Sequence, residues 1–467
     1  MRRLSAIVVL ALSACLAGCL LGPNYHRPAI SAPAAYRGAA AATATPQAAA
    51  SLGNEKWFTL FQDPVLQRLL RTAVANNYDV RIAAARVLAA QQQAGITRAG
   101  EFPFAAVDAG VTALRNPKTS KALPSYSTRF GRLNLDVLWN LDFWGKYRRA
   151  TEAARDQWFA TRWGQRAVVS SVVAQVAVAY FQLRELDAAL AIAQKTIAAR
   201  QDSLHLIQVL DHYGSASDLD VAQAQELESQ AGETIPDLQR QIAQQENLLR
   251  TLMGENPGPI PRGAPLTAQP NPPSVPAGLP SALLDRRPDI RAAEMQLAAA
   301  NAQIGVAKAA LFPSITLTAS GGVESYALNR LFSPAGRQWN VAGDLLQPVF
   351  AAGSLRAGVR LSEAQKQAML LTYEQSIQNA FAQVSDALVG LQKDHQFRQQ
   401  QQTLTQAAEK AEQLSQVLYQ HGGGSFLQVL VAETNSFSAQ LNLSQAELNE
   451  RLALVALYNA LGGGWQR

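Results

Sequence analysis

The stretch RLNLDVLWNLDFWGKYRRATEAA, Arg132 to Ala154, changes period at its centre. From Leu133 to Phe143 every odd position is apolar: Leu133, Leu135, Val137, Trp139, Leu141 and Phe143. The even positions Arg132, Asn134, Asp136, Asn140 and Asp142 are polar, with Leu138 the exception. Side chains alternate across a strand, so this pattern predicts a strand with one apolar and one wet face. After Gly145 the alternation stops. Helix-forming residues without proline run from Lys146 to Leu210, enough for a helix of ~100 Å at about 1.5 Å per residue.

The N-terminus says where such a chain lives. MRRLSAIVVLALSACLAGC has a basic start (Arg2, Arg3), a short apolar core and small residues before Cys19, the pattern of a secretory signal peptide. The run is too short to span a membrane as a helix. Its ending, Leu16-Ala17-Gly18-Cys19, resembles a bacterial lipobox. That resemblance implies cleavage before Cys19 and acylation there, with an N-acyl group and an S-diacylglycerol; the plain alternative is an ordinary signal peptide with an incidental cysteine. Position 20 is leucine, not the aspartate associated with inner-membrane retention. Cys15 would leave with the signal, so the mature chain has no cysteine for a disulfide or a cysteine metal site. Loss of Arg2 and Arg3 lowers the formal charge from +6 to about +4. No dense Lys/Arg cluster points to nucleic acid. No further apolar run of about twenty residues predicts a transmembrane helix.

The chain is written twice. ANNYDVRIAAARVLAAQQQAGITRAGEFPF aligns without gaps to DRRPDIRAAEMQLAAANAQIGVAKAALFPS, matching Asp79 to Asp289 and Gly95 to Gly305. Later Gly145 matches Gly353, Gly214 matches Gly422, Ser217 matches Ser425 and Leu219 matches Leu427. Repeats this long are duplicated domain plans, not solenoid units. The expected organisation is a signal peptide at 1–18, a lipidated extended segment at 19–60, a first repeat at 61–255, a Pro-rich linker at 256–281 and a second repeat at 282–467. The first repeat should hold a helix, strands near 102–115 and 129–143, a long helix at 146–210 and a return helix at 218–254. The second should hold a helix, strands near 312–325 and 337–350, a long helix at 354–420 and a return helix at 426–461.

Strands of this length can cross a bilayer at a tilt. Phe102, Phe104, Trp144, Trp339 and Phe350 fall near strand ends, where an aromatic girdle would lie. A soluble sheet packed on helices has the same period, and the secreted N-terminus favours the membrane. Four strands cannot close a barrel, and lipid tolerates no open edge. Two copies would give eight strands and three would give twelve. Leu133, Leu135, Val137 and Leu141 should then face lipid.

WFTLFQDPVLQRLLRTAVANN, LDFWGKYRRATEAA, LLDRRPDIRAAEMQLAAANAQIGVAKAALFPSITLTASGG, LLQPVFAAGSLRAGVRLSEAQ, and the turns YGSASDLDVAQAQ and YQHGGGSFLQVLVAE together cover most of the mature chain. In these stretches the sequence resembles the TolC-like outer-membrane factors of tripartite efflux pumps, in particular NodT-type outer-membrane lipoproteins. The resemblance implies an α+β membrane protein: a homotrimer with a twelve-stranded β-barrel, four strands per chain, continuous with a periplasmic α-helical barrel. It implies a passive exit duct of an RND-type efflux system for drugs or other small molecules, partnered by a periplasmic adaptor, an inner-membrane pump and outer-membrane lipids. It also gives a role to the turns, Gly214, Ser217, Asp218, Leu219 and Asp220 in one and Gly422, Gly424, Ser425, Phe426 and Leu427 in the other: closing the channel and docking the adaptor. Two departures stand out. Val431 takes a position where many relatives carry an acid, with Glu433 the nearest, and Tyr213 abuts Gly214.

Residue types alone explain part of these turns, since glycine permits a tight reversal and serine caps a helix. No catalytic constellation, phosphate-binding loop or metal motif is present, and no cofactor besides the lipid is expected. His212 and His421 precede the two turns, and solvated turn histidines are the plain reading. Two functions remain, a conducting duct and a non-conducting periplasmic tether; the two-faced strands favour the duct.

Overall fold

The structure, a computed structural model, describes residues 20–33, 35–37, 52–116, 126–268 and 280–465; Cys19 and the signal segment lie outside them. In chain order the elements are α1 (Trp57–Leu60), α2 (Pro64–Asn76), α3 (Tyr78–Ala99), β1 (Phe104–Asn116), β2 (Tyr126–Leu141), α4 (Lys146–His212) and α5 (Asp218–Leu252). There follow α6 (Pro280–Arg286), α7 (Pro288–Ala309), β3 (Ser314–Ser325), β4 (Arg337–Leu346), α8 (Ser354–Gln420) and α9 (Phe426–Ala460). The duplication is visible in the lengths. α4 and α8 have 67 residues each, and α5 and α9 have 35 each.

The ends of the elements have local causes. The last strand stops at Leu346 and not at 350, because Pro348 has no N–H to give a ladder. β2 begins at Tyr126 and ends at Leu141. The next residue, Asp142, turns from sheet to helix, its carboxylate accepting from the backbone N–H groups of Tyr147 and Arg148 at 3.0 and 2.9 Å. The single leading helix expected in each repeat is two helices. Asn77 leaves helical geometry and its side chain caps α3 through the N–H groups of Asp79 and Val80. At the matching place in the second repeat, Arg287 precedes Pro288, and a residue before proline avoids helical geometry.

The residues gather into two compact units. The first draws on the described residues within Met1–Ala29, Arg86–Thr161 and Ala292–Tyr373, and contains the sheet, an antiparallel meander of order β1-β2-β3-β4. The second draws on Ile30–Ala85, Arg162–Arg291 and Glu374–Arg467. Its core buries Val172, Val176, Tyr180 and Leu183 of α4 with Leu66, Leu70, Leu454 and Leu457. Phe61 meets Phe181 and Tyr458 edge-on at 6.1 and 6.2 Å. Asp63 caps α2 and accepts the Tyr180 hydroxyl at 2.6 Å; that hydroxyl accepts the Gly263 N–H at 3.1 Å. Among the described residues only α4 is long and apolar enough to cross a membrane as a helix, but these buried valines show where its apolar face goes.

Candidate functional site

The residues singled out in the sequence fall in two places: the faces of the sheet and the paired turns between long and return helices. In the sheet, register sorts the side chains. Val107, Leu135 and Gly321 lie in one row across the strands with Trp339; Ala105, Val137, Ala319 and Val341 form the next. Leu141, Ile315 and Leu345 form a third. These rows make one continuous apolar face, and Trp339, Val341 and Leu345 are largely exposed on it. The alternate rows are polar: Asp108, Asn134, Gly322 and Gln338; then Ala106, Asp136, Ser320 and Asn340. Polar partners bond across strands there. Arg132 pairs with Asp108 at 2.8 Å, the Thr316 hydroxyl donates to Asn140 Oδ1 at 2.9 Å, and the Gln338 amide donates to Asn134 Oδ1 at 3.2 Å. The exception Leu138 is opposite Phe104, so the polar face has an apolar row near one end. In this sheet β1 and β4 each pair with one strand only, leaving two open edges.

In the second unit the turns are built alike. Gly214 and Gly422 adopt φ of +72° and +73°, the left-handed region where a Cβ is strained. This conformation ends each long helix by turning N–H groups back onto its last carbonyls: Ser215 to Leu210 and Gly423 to Leu418, both at 2.8 Å. Each return helix then starts with a capping box, Ser217 with Asp220 and Ser425 with Gln428. The Asp220 carboxylate accepts from the Ser217 N–H at 3.0 Å and its hydroxyl at 2.7 Å. Asp220 is therefore engaged within its own turn, whereas Asp218 is exposed. Phe426 is 6% exposed and belongs to a cluster with Ile207, Ala224, Val429 and Leu430 that joins the two hairpins. Leu219 and Leu427, at matching positions, are exposed, as are Gly214 and Gly422. Gly424 is half-buried. His212 stacks edge-on to Tyr213 and His421 bonds the carbonyl of Val417; no cluster suited to a metal occurs among the described residues.

Sequence reasoning missed one feature of this unit. Ala193, Arg200 and Ile207 are all buried and seven residues apart on α4. Arg200, 2% exposed, donates to the Leu227 carbonyl at 2.6 Å and lies over Phe437. Burial lowers its pKa, against Glu433 and Glu412. Glu433 is also buried, and burial pushes its carboxyl up against a hydrogen bond from Gln416. Both line a polar cleft of 480 Å³. The signal in the sequence was an arginine on an otherwise apolar heptad position.

A sheet with one apolar and one wet face, each strand pair leading into a long helical hairpin, makes an α+β fold whose channel-forming class the comparisons identify. The family model described as outer membrane efflux protein matches the chain twice, over residues 69–255 and 279–463. The chain is 37% identical over 455 residues to the solvent efflux pump outer membrane protein SrpC of Pseudomonas putida, covering 96% of both. It is 35% identical to the cation efflux system protein CusC of Escherichia coli, covering 97% of both. The crystal structure of the open state of the Neisseria gonorrhoeae MtrE outer membrane channel matches with a TM-score of 0.86 at 30% identity, over 96% of this chain and 99% of that one. The chain belongs to the outer membrane efflux protein family. It is an efflux component of the outer membrane and not an enzyme.

Proposed function

We propose that three copies of this chain form the exit duct of a tripartite, RND-type efflux system, passing drugs or other small molecules from an adaptor and inner-membrane pump to the exterior. The observation that carries this is the register-matched sheet with two open edges. Each unpaired backbone group in lipid costs several kcal/mol, so β1 of one copy must pair with β4 of the next. Two copies would give eight strands, a number whose interior is filled by its own side chains; three give twelve and leave a wet lumen. Leu133, Leu135, Val137 and Leu141 then face lipid, while Asn134, Asp136 and Asn140 line the passage. The turns carry the exposed Leu219 and Leu427, which suit closure or adaptor docking. An N-acyl, S-diacylglyceryl Cys19 adds a lipid anchor. Relatives named for solvent and cation efflux leave either substrate class open to this chain. Conductance of the purified protein across a planar bilayer tests the reading. Discrete ionic steps are expected; an inserted protein that never conducts would make it a tether.

A further inference from the structure

In the first unit, residues 21–27 are built into the wall. Arg149, in the first turn of α4, is only 1% exposed. Its guanidinium donates from Nε to the Leu21 carbonyl at 3.0 Å, and from Nη2 to the Gly22 carbonyl at 3.3 Å and Asn24 Oδ1 at 2.8 Å. Nη1 pairs with Glu152 at 2.7 Å. From α7, the buried Asn301 amide donates to the Pro23 carbonyl at 2.8 Å. Further along, Arg27 pairs with the buried Glu294 at 3.3 Å. At the other end the Leu21 N–H donates to the carbonyl of Trp144, two residues before α4 begins. Two glycines make the fit: a Cβ on Gly22 would sit 2.5 Å from Gly305 Cα, and one on Gly305 would sit 2.7 Å from the Leu21 carbonyl oxygen. Gly22 also needs its φ of +94°.

The duplication supplies an internal control. The counterpart of Arg149 is Ala357, and that of Asn301 is Gln91. A Cβ on Gly95, the counterpart of Gly305, would meet nothing within 4 Å. The clamp therefore exists in the one copy of the plan that receives the N-terminal segment. General helix packing does not require it.

The geometry points to Arg149 as a positioning residue that fixes the point of lipid attachment at the junction of sheet and long helix. Cys19 is bonded to Leu20, and Leu21 is held to the Trp144 carbonyl where β2 gives way to α4. In an acylated chain the acyl groups would be two residues from Leu21, so holding Leu21 at that junction limits how far from it the lipid can reach. This inference rests on the lipid-anchor reading for its consequence but not for the clamp itself.

Hydrogen exchange read by mass spectrometry on the full-length membrane-extracted protein tests it. In Arg149→Gln, amides of residues 21–25 should exchange faster by an order of magnitude, while the buried α4 peptide around Val172–Leu183 stays protected. Gly305→Ala should do the same from the opposite side, and Gly95→Ala should not. The N-terminal peptide mass should keep its lipid in every variant, yet the fraction of Arg149→Gln protein inserted and protease-resistant in the outer membrane should fall several-fold. Unchanged exchange at residues 21–25 in both variants overturns the clamp. Faster exchange with normal insertion overturns its positioning role. An unlipidated wild-type N-terminus would refute the anchor, and the exchange result would still decide the clamp.

Discussion

At the scale of single residues, the two acids of the first turn have different duties. Asp220 closes a capping box on Ser217, whereas Asp218 is exposed at the first position of α5. Asp220→Ala should therefore cost about 1 kcal/mol of hairpin stability, read as a lower midpoint in thermal unfolding. Asp218→Asn should leave stability unchanged and reduce cation preference in single-channel reversal potentials, because three copies of that charge would set the field at the mouth. Unaltered selectivity would mean that Asp218 faces outward. A second prediction concerns pH. The carboxyl of Asp156 on α4 is raised from its ordinary 3.8 to about 6, first by burial and then by Glu152. An acid raised on folding contributes stability at low pH and loses it as pH climbs through its folded value. Solvent reaches part of this carboxyl and screens it, so the loss between about pH 4 and 7 should be about 1 kcal/mol. Unfolding midpoints measured across that range should decline, and Asp156→Asn should flatten the decline. An equal slope in the variant would assign it to other groups.

At the scale of elements, the strand that opens the long helix carries the sharpest test. Val137 lies in an apolar row with Ala105, Ala319 and Val341, and its neighbour Asp136 lies in a row with Ala106, Ser320 and Asn340. Val137→Arg near mid-membrane should cost about 2–4 kcal/mol and Asp136→Arg much less. Recovery of heat-resistant oligomer from the outer membrane measures both; equal losses would refute the assignment of faces. This much was legible because a period of two survives any boundary error, and a matched partner strand only reinforces it. The similar lengths of the two long helices were legible too, since glycine and serine mark both turns. What escaped the sequence was long-range. Whether Asp220 is a field charge or a cap depends on where one side chain turns, and whether Phe426 is at the surface depends on the neighbouring hairpin. No motif singles out Arg149 in the sequence, and only its place among apolar heptad positions marks Arg200. Their burial becomes visible only when the Leu21 and Leu227 carbonyls arrive from elsewhere in the chain.

At the scale of the whole molecule, three chains around one axis would give each tip residue two symmetry mates, and this changes what an exposed leucine means. In the single chain Leu219 and Leu427 have no cover, although both follow a serine cap by two residues in the same hairpin geometry. Crowded Asp218 carboxylates repel and cannot hold a tip closed. Closure then falls to apolar groups that meet across the axis, and Leu427 is the better placed because its turn carries no acid. Leu427→Ala should raise the resting conductance of the reconstituted protein while leaving its unfolding midpoint unchanged. Phe426→Ala is the contrasting change. That ring packs between the hairpins against Tyr419, centroids 5.4 Å apart, and its loss should cost about 3–5 kcal/mol. It should destabilise both hairpins together, seen as faster hydrogen exchange in α5 as well as α9. If Leu427→Ala leaves conductance untouched but weakens capture of the purified adaptor, the leucine is a docking contact and closure lies elsewhere along the hairpins. If neither quantity moves, the apolar tip has no part in either task, and the polar cleft around Arg200 and Glu433 becomes the next place to cut.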